Sequence, residues 1–176
     1  MSRTEPTPDP LILTLAFDDA TFARFDALRR HHFPEALNHI PAHATLFHHL
    51  PGLHEPGVSE TIASLVRTQA PPEVAVTGLR FIGRGVVYTL ESDALSGFRA
   101  RLAQAFAAHL TAQDKQGWRP HVTIQNKVKP EVARALHAEL EQDFTPFRFA
   151  APGLHLWRYL GGPWDERARF AFGENS

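Results

Sequence analysis

The sequence predicts an α+β fold of two pseudo-symmetric lobes, each a small, mostly antiparallel sheet with outer helices, around a central cleft. Three observations predict it. Two apolar strands each run into a helix cap and an amphipathic helix, each helix leads to a proline-preceded His-x-Thr strand, and matching positions keep nearly constant separations along the 176 residues.

Residues 11–17 (LILTLAF) are apolar and β-branched and read as a buried strand, and residues 86–90 (VVYTL) read the same way. Asp18-Asp19-Ala20 follows the first and Ser92-Asp93-Ala94 the second, both with side chains that cap a helix N-terminus. In the first helix Phe22, Phe25, Leu28 and Arg29 turn around one cylinder. Phe98, Leu102, Phe106 and Leu110 form the stripe of the second.

Each helix leads to a short strand, Pro41-Ala-His43-Ala-Thr45-Leu46 or Pro120-His121-Val-Thr123-Ile124. Further helices are expected over about 58–69, with Ile62, Leu65 and Val66 apolar, and over 130–142, where Pro130 suits a first helical turn. Each unit closes with a strand, over 74–82 and 147–157, and each of these contains a Gly-Leu pair. Asp19 and Asp93, His43 and His121, and Gly78 and Gly153 are 74, 78 and 75 residues apart. The expected organisation is a single domain over 11–170, with repeat units of about 11–85 and 86–162. Residues 1–10, with three prolines, form a disordered lead-in, and 171–176 a short tail.

Composition narrows the function classes. Without cysteine there is no disulfide framework, thiolate metal site or nucleophilic thiol. The acidic, proline-rich start is unlike a signal peptide, and no apolar run approaches the roughly 18 residues of a membrane span, so the expected location is cytoplasmic. A net charge of -1 excludes global attraction to nucleic acid and leaves only a local patch for a polyanion. Gly83-Arg-Gly85 and Gly161-Gly162 lack the spacing of a phosphate loop, and no serine-hydrolase elbow is present.

Alternation puts His43 and Thr45 on one face of their strand, and His121, Thr123 and Gln125 on one face of theirs, with apolar residues opposite. A cleft between the lobes then holds two imidazoles and two hydroxyls. Imidazole titrates near neutrality, so one ring can accept a proton while the other donates one, and the hydroxyls can hold non-bridging oxygens. That is the equipment for cleaving a phosphate ester.

His43-Ala-Thr45-Leu46 and His121-Val-Thr123-Ile124 resemble the paired motifs of the two-histidine (2H) phosphoesterases, which include 2′-5′ RNA ligase-like proteins and cyclic phosphodiesterases. The resemblance spans about 11–170. It implies a metal-independent enzyme, without cofactor, that hydrolyses 2′,3′-cyclic or 2′,5′-linked ribose phosphodiesters of RNA ends or nucleotides. His43, Thr45, His121 and Thr123 would be catalytic, with His121 assigned as base and His43 as acid, roles that the residues alone leave interchangeable. A reversible 2′-5′ RNA ligase and a noncatalytic RNA-end or nucleotide binding module are the alternatives, and the expected state is a monomer. Family members often continue the first motif as Thr-Leu-x-Phe and a glycine turn, whereas this chain reads Phe47-His48-His49-Leu50-Pro51-Gly52.

Phe47, Arg119, Gln125 and Arg158 are the further substrate-binding candidates, with Arg80 and Arg84 as other cations near strand ends. Phe47 and the tryptophans Trp157 and Trp164 suit either base stacking or core packing. Seven histidines lie between His31 and His54, but they lack carboxylates at a ligand spacing, so His31, His32, His39 and His54 read as surface residues and His48 and His49 as cleft-bordering.

Overall fold

The computed structural model describes residues 8–173. The order is β1 (Leu11–Leu15), α1 (Asp19–His32), β2 (Ala44–Leu50), α2 (Glu55–Val66), β3 (Glu73–Phe81), β4 (Val86–Glu91), α3 (Asp93–Ala105), α4 (Ala112–Lys115), β5 (His121–Gln125), α5 (Pro130–Asp143), β6 (Phe147–Ala150), β7 (Gly153–Tyr159) and β8 (Trp164–Ala171). They form two four-stranded antiparallel sheets, β2-β1-β7-β8 and β5-β4-β3-β6.

The caps form as their residue types dictate. Asp18 accepts from the Thr21 amide at the start of α1, and Ser92 Oγ from the Leu95 amide at the start of α3. Each of these helices buries its apolar face on the opposite lobe. Phe25 of α1 is fully buried, 5.3 Å from Tyr88 and 6.0 Å from Phe147, both in the second sheet. Phe98 of α3 meets Phe172 beyond the end of β8 at 5.2 Å.

The units 11–85 and 86–162 do not coincide with the lobes in space. One strand of each unit belongs to the other unit's sheet: β3, the last strand of the first unit, pairs with β4, and β7, the last strand of the second, pairs with β1. A tight hairpin explains the first exchange. Ile82 N–H bonds to Gly85 O at 3.0 Å around Gly83, whose φ of 89° only glycine adopts without strain. Gly85 itself must be glycine, because a Cβ there would lie 1.9 Å from the Gln125 carbonyl oxygen.

The strand expected over 147–157 is two strands in different sheets, because Pro152 has no N–H for a ladder and the chain crosses between lobes there. Strand β8 lies outside the duplicated pattern: its polar sequence, Trp164-Asp-Glu-Arg-Ala-Arg-Phe-Ala171, is that of an edge strand half open to solvent. Of the lead-in expected over 1–10, residues 1–7 lie outside the described residues, while Pro10 O accepts from Tyr159 N–H at 3.0 Å. Of the expected tail, 174–176 lie outside the described residues. Ala171 completes β8, and Phe172 is buried with its N–H on Pro152 O. Among the described residues no helix is long and apolar enough to cross a membrane.

Candidate active site

The two His-x-Thr strands, β2 and β5, are each the edge strand of a sheet, and they lie in contact with one another. Edge strands leave backbone groups unpaired, and side chains from the other half satisfy them here. Trp118 Nε1 donates to Thr45 O at 3.0 Å, Arg99 Nε to Leu46 O at 3.0 Å, and Arg29 Nη1 to Thr123 O at 2.9 Å. The His48 and His49 amides donate to the buried carboxylate of Asp114, each at 2.9 Å. The motif strands are thus locked at the seam between the lobes.

Both strands carry a bulge at the same place. Register slips so that Leu46 is the extra residue in β2 and Ile124 the extra residue in β5, each directly after the motif threonine. Up to the threonine, alternation holds: His43, Thr45, His121 and Thr123 are half-buried and Ala44 and Val122 are buried. Beyond it, alternation fails and two consecutive residues are buried, Leu46 with Phe47 and Ile124 with Gln125.

That failure corrects two substrate-binding expectations. Phe47 is fully buried, packed on Phe106 with the Arg99 guanidinium 4.4 Å above its ring. Gln125 is 3% exposed and lines neither of the two cavities beside the motif histidines, so neither residue reaches the cleft. Arg158 is displaced for a different reason. It sits one residue after the cleft-lining Trp157 and therefore on the other face of β7, where it pairs with Glu55 at 3.0 Å. Arg119 does line the site beside His121.

The two imidazoles are held alike. His43 Nδ1 lies 2.9 Å from Pro41 O and His121 Nδ1 lies 2.9 Å from Arg119 O. A carbonyl can only accept, so each ring carries its proton on Nδ1 and leaves Nε2 available to a ligand. Burial of the ring pushes His43 down to about 4, with Arg29, His121 and His48 adding repulsion against the Pro41 hydrogen bond. His121 is lowered too, first by burial and then by Arg80 and His48, against the bond to Arg119 O. Burial thus favours the neutral form of both rings in the free protein, and an anion in the cleft offsets that penalty and favours the charged form.

Two cavities flank the pair. One, of about 590 Å³, runs from His43 along β7 and β8 past Thr14, Phe17, His155, Trp157 and Trp164. The Trp164 ring lies 4.9 Å from the His43 ring, and Trp157 Nε1 is tied to Thr14 Oγ1 at 2.9 Å. The other, of about 200 Å³, runs from Thr45 and His121 past Arg80, Arg119 and His48. Sequence reasoning passes over Thr14 and His155. Their signal is register alone: Thr45, Thr14 and His155 form one cross-strand row over β2, β1 and β7, matched by Thr123, Val87 and Arg80 over β5, β4 and β3.

The remaining histidines of the His31–His54 segment are dispersed. His31 and His32 contact each other on α1, and His54 meets His109. His48 alone joins the site, its Nδ1 3.2 Å from Asp114 Oδ1. Among the described residues no three His, Asp or Glu side chains are grouped to hold a metal ion.

A model of the 2′-5′ RNA ligase superfamily matches residues 17–163 of the chain. Among solved structures, TT0787 of Thermus thermophilus is 16% identical, with a TM-score of 0.61, 94% of this chain covered and 100% of that one. E. coli LigT complexed with 3′-AMP is 17% identical, with a TM-score of 0.57, 95% of this chain covered and 99% of that one. E. coli LigT complexed with ATP gives 17% and 0.58 over the same shares. At these identities the likeness is one of fold. No curated protein matches the chain in sequence.

Proposed function

Since the chain belongs to the 2′-5′ RNA ligase superfamily, we propose that it hydrolyses 2′,3′-cyclic or 2′,5′-linked ribose phosphodiesters of RNA ends or nucleotides, by acid-base catalysis between His43 and His121. The observation that carries this reading is the matched pair of rings on two abutting edge strands, each with Nδ1 committed to a carbonyl two residues earlier. Each ring then offers one nitrogen, Nε2, to the same ester, which is what in-line displacement at phosphorus requires.

In the proposed step His121 Nε2 takes a proton from water as the water oxygen bonds to phosphorus. The bond from phosphorus to the departing ribose oxygen breaks, and that oxygen takes a proton from His43 Nε2. Solvent then restores both rings. Thr45 and Thr123 hydroxyls donate to the non-bridging oxygens. Burial lowers both rings in the free protein, His43 to about 4, and we take His121 as the base and His43 as the acid. The anionic phosphate supplies the charge that lets His43 bind its proton in the complex. The aromatic cavity beside His43 suits the nucleoside, with Trp164 as the stacking surface.

The test is turnover of a panel of 2′,3′-cyclic nucleotides and 2′,5′-linked dinucleotides, with His43→Ala and His121→Ala as controls. Steady conversion lost in both variants is expected. Binding without conversion by the unmodified protein would leave the site a recognition module.

A further inference from the structure

The two cavities beside the imidazoles differ in chemistry as much as in size. The one on the β5 side, at about 200 Å³, is smaller than the few hundred cubic ångströms that a nucleoside-sized ligand needs. Its walls are cationic: Arg80 from β3, Arg119 just before β5, and Arg99 from α3.

These arginines are not equivalent. Arg99 is committed, its Nε on Leu46 O, its Nη2 on Asp114 O and its guanidinium stacked on Phe47, with the Asp114 carboxylate balancing its charge. Arg80 and Arg119 take part in no ion pair among the described residues, whereas Arg30, Arg148, Arg158, Arg167 and Arg169 each have a carboxylate partner. Two guanidinium groups around one small cavity repel each other, and Arg80 also opposes a charge on His121. An anion in the cavity removes both penalties at once.

The same wall has a fixed corner. His48 donates Nδ1–H and its backbone N–H to Asp114, a side chain 2% exposed, so the ring is fixed at the cavity edge. Register sets the span. Arg80 lies across Val87 from Thr123, two strand spacings or roughly 9.5 Å along the hydrogen-bonding direction. The cavity runs from Thr45 and His121, at the reacting ester, to Arg80 and Arg119, so an anion held by these guanidinium groups can belong to the same ligand as that ester.

We propose that this cavity is a second phosphate site, so that the ligand preferred by the cleft carries two phosphates, one between His43 and His121 and the other against Arg80 and Arg119. The proposal rests on the phosphodiester reading of the cleft and extends it to substrate class. The second phosphate has two sources, the terminal phosphomonoester of a nucleotide or the next diester of an RNA chain, and both present the same anionic oxygens.

Equilibrium binding tests it independently of turnover. Adenosine 3′-phosphate, adenosine 3′,5′-bisphosphate and a dinucleotide with a 3′-terminal phosphate are titrated into the full chain, and into Arg119→Ala, Arg80→Ala and the double variant, with folding checked by thermal melting. Both two-phosphate ligands should bind about tenfold or more tightly than the monophosphate, and the double variant should bring that ratio close to one. Arg119 is exposed, so Arg119→Ala carries the test if Arg80→Ala fails to fold. Equal affinities in the unmodified protein, or an unchanged ratio in the variants, would overturn the proposal. A parallel loss for all three ligands would also overturn it, because the cavity would then hold the reacting phosphate itself. If the bisphosphate gains and the dinucleotide does not, the site takes a terminal phosphomonoester. A gain by both assigns it to an RNA chain. Failure of every cyclic substrate to turn over would count against the proposed hydrolysis and leave these binding ratios readable.

Discussion

His43 and His121 are oriented by the same local bond, Nδ1 to the carbonyl two residues earlier, at 2.9 Å in both cases. Neither ring is fixed by a carboxylate. The chain turning into each motif strand supplies the acceptor, so ring orientation depends on backbone geometry that both repeats share.

In the proposed reaction, replacing either half-buried ring removes a proton-transfer group and little of the core. His43→Ala and His121→Ala should each lower kcat by about 10²–10⁴-fold on a 2′,3′-cyclic nucleotide while leaving the thermal midpoint within a few degrees. Near-full turnover in either variant would reject the assigned role.

The rate profile should sit on the acid side. Productive free enzyme holds one proton between two rings that are both lowered from 6.5, His43 to about 4. The maximum of kcat/KM should accordingly lie below pH 6.5 and decline above it. A maximum at pH 8 would show that another group is the base.

Stability follows the same shifts. Between about 4 and 6.5 the unfolded chain binds a proton at position 43 that the folded chain refuses, so the unfolded state holds more protons. Stability is fully present above pH 6.5 and is lost as pH falls through that window. His121 and His155, also lowered by burial, act in the same direction. Urea midpoints from pH 7 to 4 should fall, and His43→Asn should flatten the slope.

Phe47 should be a stability residue. Phe47→Ala empties a fully buried site under the Arg99 guanidinium and should cost about 3–5 kcal/mol in denaturant unfolding. Trp164→Ala should do the reverse, raising KM for a nucleotide about tenfold with little loss of stability. The opposite pattern would place the stacking ring at Phe47.

Arg29 is the clearest buried positioning group. It is 4% exposed, with Nε on Asn38 Oδ1 and Nη1 on Thr123 O, and desolvation brings it down to about 10. Arg29→Met should leave the Thr123 carbonyl unpaired at the β5 edge and cost about 1–3 kcal/mol. Because β5 then loses its tie to α1, kcat should fall while KM changes little.

The fold class, the caps at Asp18 and Ser92 and the paired motifs are legible from residue order, because each is a local preference: side-chain oxygens capping the next turn, apolar periodicity and proline before a strand. The burial of Phe47 and Gln125 is not legible in the same way, because alternation assumes an unbroken strand. The bulges at Leu46 and Ile124 depend on pairing with β1 and β4, partners that the local sequence does not name.

By itself the sequence determined the fold class, the caps of α1 and α3, and the identity of two imidazoles and two hydroxyls on alternating positions. Only the tertiary structure decided that each unit lends its last strand, β3 or β7, to the other sheet, that β2 and β5 abut as edges, and that Arg80 and Arg119 share a cavity while Arg158 turns to Glu55. The division has one physical reason. Dihedral preference and capping act within a few residues, whereas strand exchange, burial and the meeting of unpaired charges are set by surfaces that come together only when both halves have packed.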